Sequence, residues 1–358
     1  MKSFNNYVVD TNILKNNAIN VKNYIGKNKM LCAVVKANAY GMGLHTVCNA
    51  LKGIADFFAC ACLNEAMSIR SFDKETRVLI LGHIDNNYLD LVAKNNISIS
   101  VGSVDQLNEI SYKAKSKINI HLQINTGLNR FGIRTINQLK SALKIISLHD
   151  NIHLEGVYSH FATKENDVEF INRQYLRFLQ FKKHIKNNGV IFHIANSYAT
   201  TKSNMYNLDM VRCGFLMYGY AKNSIENKPI ASITSQIINI NYAKRGDTVG
   251  YDRTYKVARS TKIGIVPVGY ADGLNRYLSN KFYVLIKGKK YKIIGLICMD
   301  VFMVDLRDDD VSVGDRVVLL GKSGGLEITL HDYAKEIKTS PYEIICNFNY
   351  KRMNYVVK

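Results

Sequence analysis

The chain has 358 residues, 47% of them hydrophobic, and a formal net charge of +19. That length exceeds one ordinary core and predicts two domains. No run of about 18 apolar residues occurs, so no membrane-spanning helix is expected. The N-terminal MKSFNNYVVD has no apolar stretch, and no signal peptide is expected. Cys32, Cys48, Cys60, Cys62, Cys213, Cys298 and Cys346 show neither a CxxC nor a Cys/His ligand spacing. They read as reduced thiols of a cytoplasmic protein with no metal site. The positive charge is interspersed with Asn and Ile along the whole chain. It is attributed to compositional bias rather than to a nucleic-acid partner, although a positive field helps attract anions.

In chain order, apolar β-rich runs predict strands near 31–36, 57–62, 77–82, 97–102, 118–124, 153–159, 190–195 and 209–213. Segments with helical spacing lie between them, among them Gln106 to Ala114, Gln138 to Leu148 and Glu169 to Ile185. Eight alternating units imply a (β/α)8 TIM-type barrel over residues 8–225, and a doubly wound sheet fits the alternation as well. A polar stretch from Asn223 to Pro229 reads as a linker. Beyond it, strand-like runs at 232–240, 262–269, 282–288, 291–298, 302–305 and 316–320 alternate with turns at Gly246, Gly288 and Gly314. A short helix is expected over 328–337. Residues 226–358 thus form a mainly β C-terminal domain, which the N-terminal segment 1–7 is free to join. The densest basic patch, Lys281 to Lys292, reads as a hairpin around Gly288.

Candidate chemistry gathers at the predicted C-terminal ends of the barrel strands, where α/β folds place ligands. Lys36 follows the buried run Leu31 to Val35. An amine held there among apolar groups suits Schiff-base chemistry; a lysine snorkelling to the rim is the plain alternative. His160 follows strand six in Tyr158-Ser159-His160-Phe161-Ala162. Asn196 and Ser197 follow strand seven in His193-Ile194-Ala195-Asn196-Ser197, as an anion-binding helix start or an ordinary helix cap. Strand eight ends in Met210-Val211-Arg212-Cys213-Gly214-Phe215.

These segments resemble the alanine racemase family. The string Ala33-Val34-Val35-Lys36-Ala37-Asn38-Ala39-Tyr40-Gly41 carries the resemblance most closely. It recurs in order through Gly250-Tyr251-Asp252-Arg253-Thr254-Tyr255, Pro267-Val268-Gly269-Tyr270-Ala271-Asp272-Gly273 and Ile297-Cys298-Met299-Asp300. The resemblance implies pyridoxal 5'-phosphate (PLP) on the barrel and racemisation of L- and D-alanine by two bases. Lys36 forms the Schiff base and serves one face of the substrate. Tyr251, reaching in from the partner of a homodimer with composite sites, serves the other. It also implies that Arg212, held by His193, bonds the pyridine nitrogen and that His160 packs on the ring. Ser197, Asn196, Gly214, Phe215, Tyr40 and Tyr350 then bind the cofactor. Arg130, Tyr270 and the Met299 backbone hold the substrate, with Asp300 at the entrance. The implied role is D-alanine supply for peptidoglycan; a serine or broad-specificity racemase is the alternative. A PLP-barrel decarboxylase or aldolase would need other acids or a metal, and a non-catalytic PLP carrier would lack the β-domain.

The chain departs from the family pattern in four places. Gln123 stands where many relatives carry a carbamylated lysine, and Asn125 where they carry an aspartate. Either a bound anion such as chloride or the Gln123 amide oxygen is therefore expected to orient Arg130. Met42 replaces a common histidine and is expected to alter the rim of the site. Lys351-Arg352-Met353-Asn354 replaces a proline-containing run after Tyr350.

Overall fold

The computed structural model describes residues 3–163, 167–186, 189–221, 225–348 and 350–358. Residues 223 and 224 of the expected linker lie outside this set. The chain divides into two compact units. One comprises Asn12–Ala39 and Gly43–Lys228; the other comprises the chain up to Thr11, Tyr40–Met42 and Pro229–Lys358.

The first unit is the (β/α)8 barrel. The first strand of the chain, β1 (Asn6–Val9), belongs to the second unit. The barrel strands are β2 (Met30–Val34), β3 (Phe57–Cys60), β4 (Arg77–Ile80), β5 (Ile97–Val101), β6 (Ile118–Gln123), β7 (Ile152–Tyr158), β8 (Ile191–His193) and β9 (Met210–Cys213). Every hydrogen-bonded pair is parallel, in the order β8-β7-β6-β5-β4-β3-β2-β9. The ring closes through a parallel bridge between Asn196 and Arg212, with Arg212 N–H donating to the Ala195 carbonyl at 3.0 Å. A doubly wound sheet is thereby excluded. Strands such as β3 and β5 are buried at every position, because one face looks into the barrel and the other onto helices. The helix Ile136–Leu148 starts on a reciprocal cap: Thr135 Oγ1 accepts from Gln138 N and Gln138 Oε1 accepts from Thr135 N.

All eight expected strands are present, but most end earlier than their apolar runs. The first stops at Val34, so Lys36 lies beyond the strand and not at its last residue.

The second unit is mainly β. Its strands are β1 together with β10 (Ala231–Gln236), β11 (Asn239–Ala243), β12 (Thr248–Val249), β13 (Tyr255–Lys256), β14 (Thr261–Val266), β15 (Tyr283–Ile286), β16 (Lys289–Ile294), β17 (Phe302–Arg307), β18 (Arg316–Ser323), β19 (Leu326–Ile328) and β20 (Asn354–Val357). The principal sheet runs β11-β14-β17-β16-β15-β18-β10-β1-β20. The chain's first strand therefore sits between β10 and its last strand, antiparallel to one and parallel to the other. The expected run 232–240 is two strands, β10 and β11. Lys287 and Gly288, at φ 46° and 76°, make the tight turn between β15 and β16. Glycine takes the second of these positions without Cβ strain. Two lysines of this hairpin are matched by acids: Lys287 pairs with Asp315 at 2.9 Å and Lys289 with Asp309 at 3.3 Å.

Candidate active site

Lys36 opens a turn that L-residues rarely make. Ala37, Asn38, Ala39 and Tyr40 all have φ between 53° and 56°, a left-handed run costing roughly 1–2 kcal/mol per residue. Local hydrogen bonds hold it. Ala39 N–H donates to the Val35 carbonyl at 2.8 Å, and Gly43 N–H to the Asn38 carbonyl at 3.0 Å. Asn38 Oδ1 accepts from Leu44 N at 2.8 Å, opening the helix Leu44–Leu51. Glu65 Oε1 accepts from Asn38 N at 3.1 Å and its Oε2 from Ala61 N at 2.8 Å. The turn fixes where the Lys36 stem leaves the barrel. Strain concentrated at one functional side chain is a usual mark of a site.

Arg212, on β9, is buried at the same end. Its Nη1 donates to His193 Nδ1 at 2.7 Å. Its Nη2 donates to the Ser159 carbonyl at 2.7 Å, to His160 Nδ1 at 3.1 Å and to the Ile194 carbonyl at 3.4 Å. Among the described residues no acceptor takes its Nε–H. A guanidinium can only donate, so both imidazoles present a lone pair at Nδ1. Burial, then the cations Arg212, Arg130 and Lys36, drive the His160 imidazole down to about 3. Burial, with Arg212, holds His193 well below the usual range. Both rings are therefore neutral. Tyr158 stacks on His193 with centroids 5.0 Å apart and lies 5.1 Å from the Arg212 guanidinium. The thiols of Cys32 and Cys213 are pushed up to about 12 by burial and stay protonated beside Arg212.

Ser197 Oγ accepts from Gly214 N at 3.1 Å and from Leu216 N at 3.2 Å. With both lone pairs engaged, its own proton is left to donate. Gly214 N–H, expected to face a phosphate itself, acts here through that hydroxyl. Asn196 is a helix cap: its Oδ1 accepts from Tyr198 N at 3.1 Å and Ala199 N at 3.0 Å. Phe215 follows β9 and is buried. The charges bearing on His160 are all positive. Obligate donors around a neutral, flat imidazole suit a planar anionic ligand with a ring acceptor.

Strand β6 carries the departures. Gln123 Oε1 accepts from the Tyr158 hydroxyl at 3.0 Å. Asn125 Oδ1 accepts from Gly127 N at 3.0 Å and Asn129 N at 3.1 Å, shaping the loop that carries the exposed Arg130.

In the second unit, Tyr40 is buried with its ring 5.8 Å from Tyr342, and Tyr350 packs on Tyr355 at 4.8 Å. Met42 is fully buried and its carbonyl accepts from the Tyr355 hydroxyl at 2.7 Å, so it belongs to the packing and not to a rim. Tyr270 N donates to the Cys298 carbonyl and Ala271 N to the Met299 carbonyl, both at 3.1 Å, which joins the two expected substrate loops. Arg352 locks them from outside through Asp272 at 3.0 Å and Asp300 at 2.5 Å. Tyr251, Tyr270 and Met299 are 68%, 43% and 53% exposed.

The sequence profile described as alanine racemase, N-terminal domain, matches residues 9–222, and that of the C-terminal domain matches 230–357. The chain belongs to the alanine racemase family. Alanine racemase 2 of Caldanaerobacter subterraneus subsp. tengcongensis is 35% identical, with 95% of this chain and 92% of that protein aligned. Alanine racemase 1 of Bacillus subtilis is 33% identical over 95% of this chain and 90% of its own length. The solved alanine racemase of E. faecalis superposes with a TM-score of 0.95 at 31% identity, covering 99% of this chain and 98% of that one. The Bacillus anthracis enzyme, solved with bound L-Ala-P, gives 0.93 at 30% identity over 100% and 96%.

Within this family frame, Lys36, Arg130, His160, Ser197, Arg212, Gly214 and Phe215 all lie in the barrel unit, at or just beyond its strand ends. Tyr40, Tyr251, Tyr270, Met299 and Tyr350 lie in the other. Sequence reasoning gave no role to Tyr158, His121 or Glu155. His121 had a signal: with Gln123 and Asn125 it makes a period-two polar stripe along an otherwise apolar strand, which marks the barrel interior.

Proposed function

We propose that this chain interconverts L- and D-alanine with PLP, in the cytoplasm, as a homodimer with composite sites, and supplies D-alanine for peptidoglycan. The observation that carries this reading is the pairing of a lysine on a strained turn with a buried arginine whose Nη groups are spent on neutral histidines. Bound at this end of the barrel, PLP would supply an electron sink that acidifies the substrate's α-proton. Lys36 would hold it covalently and, once released by the incoming amino group, act as the base on one face. Arg212 would direct its Nε–H to the ring nitrogen. Because a guanidinium does not surrender that proton, Arg212 would leave the ring nitrogen largely unprotonated, which would disfavour side reactions such as transamination. His160, neutral and flat, would pack on the ring. Ser197 would donate to the phosphate, its hydroxyl fixed by Gly214 N–H and Leu216 N–H, with the Asn196 cap opening its helix and the Phe215 N–H adding a backbone donor; the family resemblance adds Tyr40 and Tyr350.

Arg130, Tyr270 and the Met299 backbone would orient the substrate carboxylate, and Tyr251 of the partner subunit would serve the opposite face. One base removes the α-proton and the other returns a proton from the far side, so inversion needs both. The test is NMR of L-alanine and of L-serine in D2O with the purified chain and PLP, followed by chiral analysis. Loss of the α-proton signal with appearance of D-alanine, faster than the corresponding change in serine, is expected. Faster turnover of serine would reassign the substrate; no exchange with either would refute the reading.

A further inference from the structure

Arg212 is a buried cation with no carboxylate among its hydrogen-bond acceptors, although an uncompensated buried charge is costly. A carboxylate lies two rings away. His193 Nδ1 accepts from Arg212 at 2.7 Å, and His193 Nε2 meets His121 Nδ1 at 2.8 Å. His121 Nε2 in turn meets Glu155 Oε2 at 3.0 Å. Ser98 Oγ donates to the same carboxylate oxygen, and Arg77, lying over Phe57, stands 3.8 Å from the other. The chain of contacts crosses the barrel interior from β9 through β8 and β6 to β7.

We propose that Glu155 and His121 are positioning residues for Arg212, forming with His193 a one-way donor chain whose carboxylate end compensates the buried guanidinium. The direction follows from the two ends. Arg212 can only donate and an ionised Glu155 can only accept. Each imidazole must therefore carry its proton on Nε2 and present its lone pair at Nδ1. Any other protonation pattern sets two donors or two acceptors face to face at 2.7–3.0 Å.

The backbone is shaped to admit the chain. β6 shifts register between Ile120 and His121, bringing His121 opposite Gly156. A Cβ at Gly156 would lie 2.4 Å from His121 Nδ1, so only glycine leaves room for the ring. The residue after Glu155 is thus given up to seat the imidazole that Glu155 binds. The consequence is a guanidinium fixed from behind, so its free Nε–H keeps one direction.

This inference rests on the reading of Arg212 as the ring-nitrogen donor, but its test needs no cofactor. Long-range 1H–15N correlation spectra of the deuterated apoprotein report the tautomer of each histidine. Both His121 and His193 are expected with the proton on Nε2, and a proton on His193 Nδ1 overturns the proposal. In Glu155→Gln, and in Gly156→Ala, the His193 nitrogen signals are expected to shift although neither residue touches His193; unchanged signals overturn it. In urea unfolding of the apoprotein, Glu155→Gln should lower the folding equilibrium constant roughly tenfold more in the Arg212 chain than in an Arg212→Met background. Additive losses would show that the two charges are not coupled. Racemisation is a separate readout: its absence in the wild-type chain would refute the proposed function and leave this arrangement standing.

Discussion

Acid should destabilise this protein through the buried histidines of its barrel interior. His160 and His193 are buried and neutral, at about 3 and well below 6.5 respectively, against 6.5 for an exposed imidazole. Their folded values are depressed, so below pH 6.5 the unfolded chain takes up protons that the folded chain refuses. Stability is then lost as pH falls. His160 contributes about 0.1 kcal/mol of loss at pH 7.5 and about 1.4 kcal/mol at pH 5.5. His193 and His121, whose imidazoles burial also lowers, act in the same direction. Burial pushes Glu155 up, but its hydrogen bond from His121 and the charges around it hold it below the usual carboxylate value, so its own contribution is lost only at lower pH. Urea unfolding at fixed protein concentration at pH 7.5, 6.5 and 5.5 measures the slope. In His160→Phe the drop between pH 7.5 and 5.5 should shrink by about 1.4 kcal/mol. A flat profile in the wild type, or an unchanged slope in the variant, would refute the assignment of neutral, buried imidazoles.

The left-handed turn gives a second prediction. Glu65→Ala removes the acceptors of Asn38 N and Ala61 N, and should cost about 1–3 kcal/mol in urea unfolding, with kcat falling at least about tenfold as Lys36 loses its placement. Glu65→Gln, which keeps one acceptor, should fall between; equal behaviour of all three chains would contradict the role given to the carboxylate. Subunit composition gives a third. Lys36→Ala and Tyr251→Phe chains are each expected to be inactive, but unfolding and refolding them together should restore about a quarter of wild-type activity. Random pairing makes half the dimers mixed, each with one intact composite site. No recovery in the mixture would place both bases in one chain.

The barrel was legible because each strand is an apolar run between helical spacings, and every run became a strand. What escaped was the ending of those runs. Val35 continues the apolar texture of β2, yet the strand stops at Val34 and the backbone turns left-handed at Ala37. Glycine is the usual signal for that conformation; only Asn38 stands among residues 37–40 to hint at it. The break between β10 and β11 falls at Ile237 and Ile238, two apolar residues with no Gly or Pro beside them, so no turn residue marks it. The pairing of β1 with β20 joins residues 6 and 354, a distance along the chain that local pattern cannot bridge. The helix Pro341–Asn347 was overlooked although Ser340 as cap and Pro341 in the first turn announce it. In the site, residues inside contiguous motifs were readable. The path from Arg212 to Glu155 was not, because it is assembled from four strands and each member alone reads as an ordinary buried polar group.

The central proposal is that inversion needs two bases, Lys36 on one face and Tyr251 of the partner subunit on the other. The most direct measurement is α-proton exchange in D2O alongside chiral analysis in the Tyr251→Phe chain loaded with PLP. One alanine enantiomer should still exchange its α-proton with solvent, while formation of the other falls by about a hundredfold or more. Racemisation at the wild-type rate in that variant would contradict the account.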